Sequence, residues 1–390
     1  VIAKRDLHVL ALNSGSSSLK FGLYRVSASA TARLIAGEAE AIGGRGGVFH
    51  VADAKGRSLL RESEALPSQK DAVVRVARLL TDMNLPPPQS IGHRIVHGGP
   101  LLREHCVIDD AVVKQLQAAA VFAPLHMPPA LAVISFAREH FPGLPQVACF
   151  DTSFHAHMPS IACVLPIPRA LRAEGVERYG FHGLSCESIV RQLGAPLPRH
   201  LLIAHLGNGA SITAVKEGRS IDTSMGLTPT GGIIMGTRCG DLDPGVLVYL
   251  ARQHKLDAAA LETLVDQQSG LLGISGVSAD LRNLHGGAHS SPDAALAIDM
   301  FCYSAAKQLA GMSVALGSVD SIVFTGGIGE NDSAVRASIC NHLALLGVRL
   351  DAERNRRTVE LISDGASSCE VRVLPSQEDE QIARHSWTLN

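Results

Sequence analysis

Val9-Leu10-Ala11-Leu12-Asn13-Ser14-Gly15-Ser16-Ser17-Ser18 and Leu201-Leu202-Ile203-Ala204-His205-Leu206-Gly207-Asn208-Gly209-Ala210-Ser211 stand half a chain apart and have the same build. Each is an apolar run that enters a turn of small residues. Strand signals resume after both turns, at Phe21 to Val26 and at Ile212 to Val215, so the chain twice runs strand, tight turn, strand. A turn without bulky side chains lets backbone N–H groups converge on an anion, and both turns read as phosphate cradles. Their duplication in a chain of 390 residues points to two homologous halves gripping one polyphosphate between them.

The bulk numbers narrow the partners. With 35 Lys plus Arg against 37 Asp plus Glu, the net charge of −2 exerts no sequence-independent pull on nucleic acid, and no basic block supplies a local one. Neither nucleic acid nor an anionic membrane is expected as a partner. The longest apolar stretches are broken by charge, Gly or Pro well short of a bilayer span, and no signal-peptide core precedes Asp6, so a soluble, cytoplasmic protein is expected. Eight cysteines without a CxxC read as free thiols. His93 and His97 have helical spacing, but Gly92, Gly98 and Gly99 argue against a helix, so a zinc site is not expected there.

Along the chain, Ser68 to Asp71 resembles a capping box, and Val73, Val76, Ala77 and Leu80 then repeat with helical period. Ser291 and Pro292 start a long helix with Ile298, Phe301, Cys302 and Ala305 on one face. Strand signals at Ser90 to Val96, Gln146 to Phe150 and Ser321 to Thr325 precede the polar motifs, which describes an α/β protein whose site lies at strand termini. The domain change is expected just after Asp151. There is no GxxxxGK[ST], no GxSxG and no protein-kinase loop set, so phosphate handling must rest on another scaffold.

Eight runs, in order, resemble the acetate kinase family: Asn13 to Lys20, Gly92 to Gly99, Phe150 to His155, Arg178 to Gly183, His205 to Gly209, Met235 to Arg238, Ser278 to Arg282 and Thr325 to Asn331. The resemblance implies an α/β fold of two similar domains, that of actin, Hsp70 and sugar kinases (ribonuclease H-like), with an interdomain active-site cleft. It implies domains at 1–151, completed by a C-terminal helix at about 379–390, and at 152–378. It also implies reversible, ATP-dependent phosphorylation of acetate with Mg²⁺ (or Mn²⁺ in its place), in a homodimer. Chemistry agrees: a carboxylate attacking a phosphoryl group brings two anions together, and arginines cancel charge without offering a competing nucleophile.

Residue by residue, Arg94 and Arg238 match the family's two essential arginines, and His182 the histidine that hydrogen-bonds the transferring phosphoryl group. Asp151 matches the carboxylate that organises Mg²⁺, with Asn13 and Glu378 as further metal residues. Val96, Leu125, His126, Phe181 and Pro229 are implied around acetate. Asn13, Ser16, Ser18, Lys20, His205, Asn208 and Gly209 are implied on the phosphates; Asp280, Leu281, Arg282, Gly327, Ile328, Gly329 and Asn331 are implied on the nucleotide. Of three departures from the family pattern, those at Leu184 with Cys186 and at Thr230 with Gly231 leave these charges in place and bear on fine positioning and turnover, while the one at Ser376-Gln377-Glu378-Asp379 bears on Mg²⁺ affinity. The same-class alternative is a propionate kinase. An Hsp70-like ATP-driven binding protein is the alternative of another class.

Overall fold

The computed structural model describes residues 5–15, 17–44, 46–287 and 291–390, so the expected phosphate contact of Ser16 lies outside the described residues. The chain divides into two compact units, one comprising residues up to Ala156 together with Gln377–Asn390, the other His157–Ser376.

The first unit is built on a mixed sheet of eight strands: β1 (Leu7–Ser14), β2 (Leu19–Val26), β3 (Thr31–Glu40), β4 (Val48–Asp53), β5 (Ser58–Ser63), β6 (Ser90–Ile95), β7 (Cys106–Val107) and β8 (Gln146–Phe150). Their spatial order is β5-β4-β3-β2-β1-β6-β8-β7. β1, β2 and β3 are an antiparallel meander, and β6 and β8 run parallel to β1. The second unit holds β9 (His200–Leu206), β10 (Ala210–Lys216), β11 (Arg219–Thr223), β12 (Ser321–Thr325) and β13 (Glu370–Val373), in the order β11-β10-β9-β12-β13. Again the first three strands are antiparallel, and β12 and β13 run parallel to β9. The central five strands of the two sheets therefore have one topology. The two quoted turns occupy the same place in each, between first and second strand.

Local sequence explains the elements. Ser68 caps the helix Gln69–Asp82, accepting from the Asp71 amide while its hydroxyl donates to the Asp71 carboxylate at 2.6 Å. Val73, Val76, Leu79 and Leu80 of that helix face the sheet. Ser291 caps the helix Pro292–Leu316, whose Phe301, Cys302 and Ala305 are fully buried. β1, β8, β9 and β12 are apolar throughout most of their length because helices or neighbouring segments cover both faces. The helix Glu378–Leu389 packs on β1, β6 and β8 of the first unit. Its approach explains Gly92: a Cβ there would stand 2.3 Å from Ser386 Oγ and 2.4 Å from an Ile382 methyl.

His93, next on β6, is buried with Nε2 2.8 Å from Gln146 Oε1. Burial, against the Gln146 hydrogen bond and helped by the Arg138 charge, lowers its imidazole to about 4. Between pH 4 and 6.5 the unfolded chain thus binds a proton that the native fold does not, so stability falls as pH drops through that window. Going from pH 7 to pH 5 should cost the native protein about 2 kcal/mol more than it costs His93→Gln, measured by urea unfolding. Equal losses would mean that His93 takes up its proton while folded.

Candidate functional site

In the first unit, polar side chains gather where β1, β6 and β8 end. Arg94 projects from β6, and its guanidinium forks onto Asp151, which follows β8: Nε to Oδ1 is 3.2 Å and Nη2 to Oδ2 2.5 Å. Asp151 is 1% exposed. Arg94 Nη1 also donates to Asn13 Oδ1 at 3.3 Å. The Asn13 amide, at the end of β1, turns its NH₂ to Glu378 Oε2 at 3.3 Å and to Asp379 Oδ1 at 3.2 Å. Burial works against the Arg94 charge, but Asp151, Glu378 and Asp379 outweigh it, so its pKa is raised and the cation is fixed. Burial lifts the Asp379 carboxyl above the usual range; the Asn13 hydrogen bond, Lys20 and Arg94 oppose the rise and Glu378 adds to it.

This set of hard oxygen donors, with a buried carboxyl whose charge burial disfavours, suits a divalent cation such as Mg²⁺. Asp151 spends one lone pair of each oxygen on Arg94, so orientation of that arginine is its evident structural task. The first cradle is held from below by Gln69, whose amide donates to the Gly15 carbonyl at 3.2 Å. Ser18 closes it, its carbonyl accepting from the Gly15 amide at 2.8 Å. Val96 is buried, Leu125 exposed, and His126 stands at the N-cap of the helix Met127–His140.

In the second unit, His182 lies at φ 58°, a left-handed conformation that costs a non-glycine residue about 1–2 kcal/mol. It begins the helix Gly183–Leu193 and is held on two sides. Its Nδ1 is 3.0 Å from Ser211 Oγ, and its ring stacks on His205 with centroids 4.1 Å apart. His205 Nδ1 in turn lies 2.8 Å from Ser185 Oγ. The turn from β9 to β10 is open because it is glycine: a Cβ on Gly209 would stand 3.3 Å from His182 Nε2 and 3.4 Å from Arg238 Nη1. Arg238 is oriented by the Pro229 carbonyl, 3.2 Å from Nη1. Phe181 is buried beside them in sequence.

From the same turn a cavity of about 780 Å³ extends, lined by Asn208, Asp280, Leu281, Arg282, Gly327, Ile328 and Asn331 among others. Gly329 lies behind the wall, its carbonyl accepting from Arg336 at 2.9 Å. The structure thus gathers Asn13, Arg94, Asp151 and Glu378 in one unit, and His182, His205, Gly209 and Arg238 beside a cavity in the other, while Lys20 and Leu125 stand exposed.

Sequence reasoning missed several groups. His285 and Asp332 line the far end of the cavity, joined at 2.8 Å. Arg336 is fully buried and bonds the carbonyls of Gly329, Glu330 and Asn355. An arginine inside the apolar stripe Val335, Ile339, Cys340 was the available signal. Ser185 and Ser211 sit inside quoted motifs, where only the fold reveals their histidine partners.

Residues 8–384 match the sequence profile of the acetokinase family. An acetate kinase of Rhodopseudomonas palustris is 41% identical over 392 residues, covering 98% of each chain. Among solved structures, a propionate kinase from Francisella tularensis subsp. tularensis is similar at a TM-score of 0.92 and 35% identity, covering 98% of this chain and 100% of that one. The acetate kinase of Porphyromonas gingivalis is similar at 0.86 and 34%, covering 98% and 99%.

The Arg94 fork makes a measurable prediction. Asp151→Asn leaves Arg94, a largely buried cation with 17% of its side chain exposed, short of its main partner and should destabilise the first unit by about 3 kcal/mol, the low end for breaking a buried pair, because Glu378 and Asp379 remain near. Denaturant unfolding reads this; a loss under about 1 kcal/mol would show that the pair does not hold Arg94 in place.

Proposed function

The chain belongs to the acetokinase family, and on that premise we propose that it transfers the γ-phosphoryl group of ATP to acetate, giving acetyl phosphate and ADP, and catalyses the reverse. The observation that carries this reading is the convergence of two unlike donors, Arg238 Nη1 and His182 Nε2, on the glycine turn at Gly209. A carboxylate oxygen of acetate attacks the γ-phosphorus, a new O–P bond forms, and the bond from phosphorus to the β,γ-bridging oxygen breaks. No proton needs to move. The protein's work is to position the reactants and to meet the charge that spreads over the phosphoryl oxygens.

In this reading Arg94, pre-aligned by Asp151, forks onto the acetate carboxylate, and Arg238 and His182 donate to the transferring group. Asn208 and Gly209 with Asn13, Ser18 and Lys20 contact phosphates, and the cavity at Asp280 to Arg282 and Gly327 to Asn331 takes adenosine. Asn13, Asp151 and Glu378 would hold Mg²⁺. When bound, the metal supplies charge neutralisation on the phosphates. Val96, Leu125, Phe181 and Pro229 would meet the acetate methyl, beside His126.

The structural likeness to a propionate kinase supports a second reading with the same mechanism and a longer acid. A homodimer belongs to the proposal, supported by exposed Val248 and Tyr249 on the helix Pro244–Gln253, and by Tyr303 on the helix Pro292–Leu316. Light scattering should then return twice 41.1 kDa. Among the described residues no helix is long and apolar enough to cross a membrane, which fits the proposed cytoplasmic setting.

The deciding experiment mixes protein, MgATP and single acids and traps acyl phosphate with hydroxylamine. Product with acetate is expected; none with any short acid would overturn the reading. Arg238→Ala and His182→Ala should each lower kcat by about 10²-fold or more with the fold kept, and Arg94→Ala should lower kcat at least as much while also costing stability, because it strands the Asp151 carboxylate. Val96→Ala should shift the kcat/KM ratio about tenfold toward propionate, as admission of one methylene allows. A native preference for propionate would install the second reading.

A further inference from the structure

His182 and His205 are the two imidazoles stacked in the second unit, and each has its Nδ1 against a serine hydroxyl. Neutral imidazole carries its proton on one nitrogen only, so a histidine that must donate from Nε2 needs an Nδ1 that accepts. The serines decide which nitrogen that is.

Ser211 is 1% exposed, and among the described residues its hydroxyl has no hydrogen-bond partner other than His182 Nδ1. If Nδ1 carried the proton, Ser211 Oγ would accept and its own proton would be buried without an acceptor. With the proton on Nε2, the hydroxyl donates to Nδ1 and no donor is stranded. For His205 the direction comes from a longer chain. Ser376 Oγ donates to Ser185 Oγ at 3.0 Å, so the Ser185 proton goes on to His205 Nδ1 at 2.8 Å. Both rings then carry Nε2–H. The glycines show where these point: Nε2 of His182 faces Gly209, and Nε2 of His205 lies 3.2 Å from where a Cβ on Gly326 would stand.

We propose that Ser211, and Ser185 relayed by Ser376, are positioning residues that hold the stacked histidines as Nε2–H donors toward the phosphate turn. This rests on the phosphotransferase reading and deepens it. His182 is then ready to donate before substrate arrives, and the serines act only through it and its neighbour.

The test is histidine-selective ¹⁵N labelling of the full-length protein, with long-range ¹H–¹⁵N correlation to read each tautomer, beside steady-state kinetics. The native protein should show Nε2–H for both residues. Ser211→Ala should turn His182 into a tautomer mixture and lower kcat about tenfold, with KM for ATP and acetate little moved. In a His182→Ala background, Ser211→Ala should cost nothing further. Native Nδ1–H at His182, unchanged kcat in Ser211→Ala, or a full additional loss in the double variant would each overturn the proposal. The native spectrum stands even where the alanine variant fails to fold. Failure of the phosphotransferase reading looks different: native protein with the expected tautomers that phosphorylates no carboxylate.

Discussion

Arg94 is a cation that the fold largely withdraws from water and then surrounds with carboxylates. Few arrangements constrain a structure more, because a buried guanidinium with one partner missing is costly while a paired one has a fixed direction. To satisfy it, the ends of β1, β6 and β8 and the start of the helix Glu378–Leu389 must meet, bringing Asn13, Asp151, Glu378 and Asp379 to one point. Those segments are remote in sequence. The parallel pairing of β1, β6 and β8, and the bare face that Gly92 offers the helix, are what put them in register.

The second unit solves a related problem with less charge. Its donors are aimed by hydrogen bonds to neutral groups: Pro229 for Arg238, Ser211 for His182, Ser185 for His205. Even the fully buried Arg336 is satisfied by carbonyls and side-chain oxygens, and it ties Gly329 and Glu330, behind the cavity wall, to Asn355. Glu330 then accepts from the amides of Gly326 and Ser376.

The two small-residue turns were legible because their information is local: an apolar run, absent side chains, and a resumed strand. They carried the duplicated fold, and the sheets built on β1 and β9 share one topology for that reason. Arg94, His182 and Arg238 were equally visible, each inside a short motif of unusual composition. What sequence could not show is pairing at a distance. Nothing around Asp151 says that its oxygens lie on Arg94, and nothing around Ser211 names His182. The strands β3, β4 and β5 also escaped, since their half-exposed residues give a weak alternation on a sheet edge.

The first unit draws on both ends of the chain while the second is continuous from His157 to Ser376. During synthesis the emerging polypeptide therefore has everything needed for the second sheet while β6 still lacks the helix that covers Gly92. Until Ile382 and Ser386 arrive, that face of β6 and the apolar faces of β1 and β8 lie open to water and to other chains. The helix Glu378–Leu389 is translated well after the strands it shields, and the interval between them is a window in which a chaperone or a misplaced neighbour can occupy the same groove.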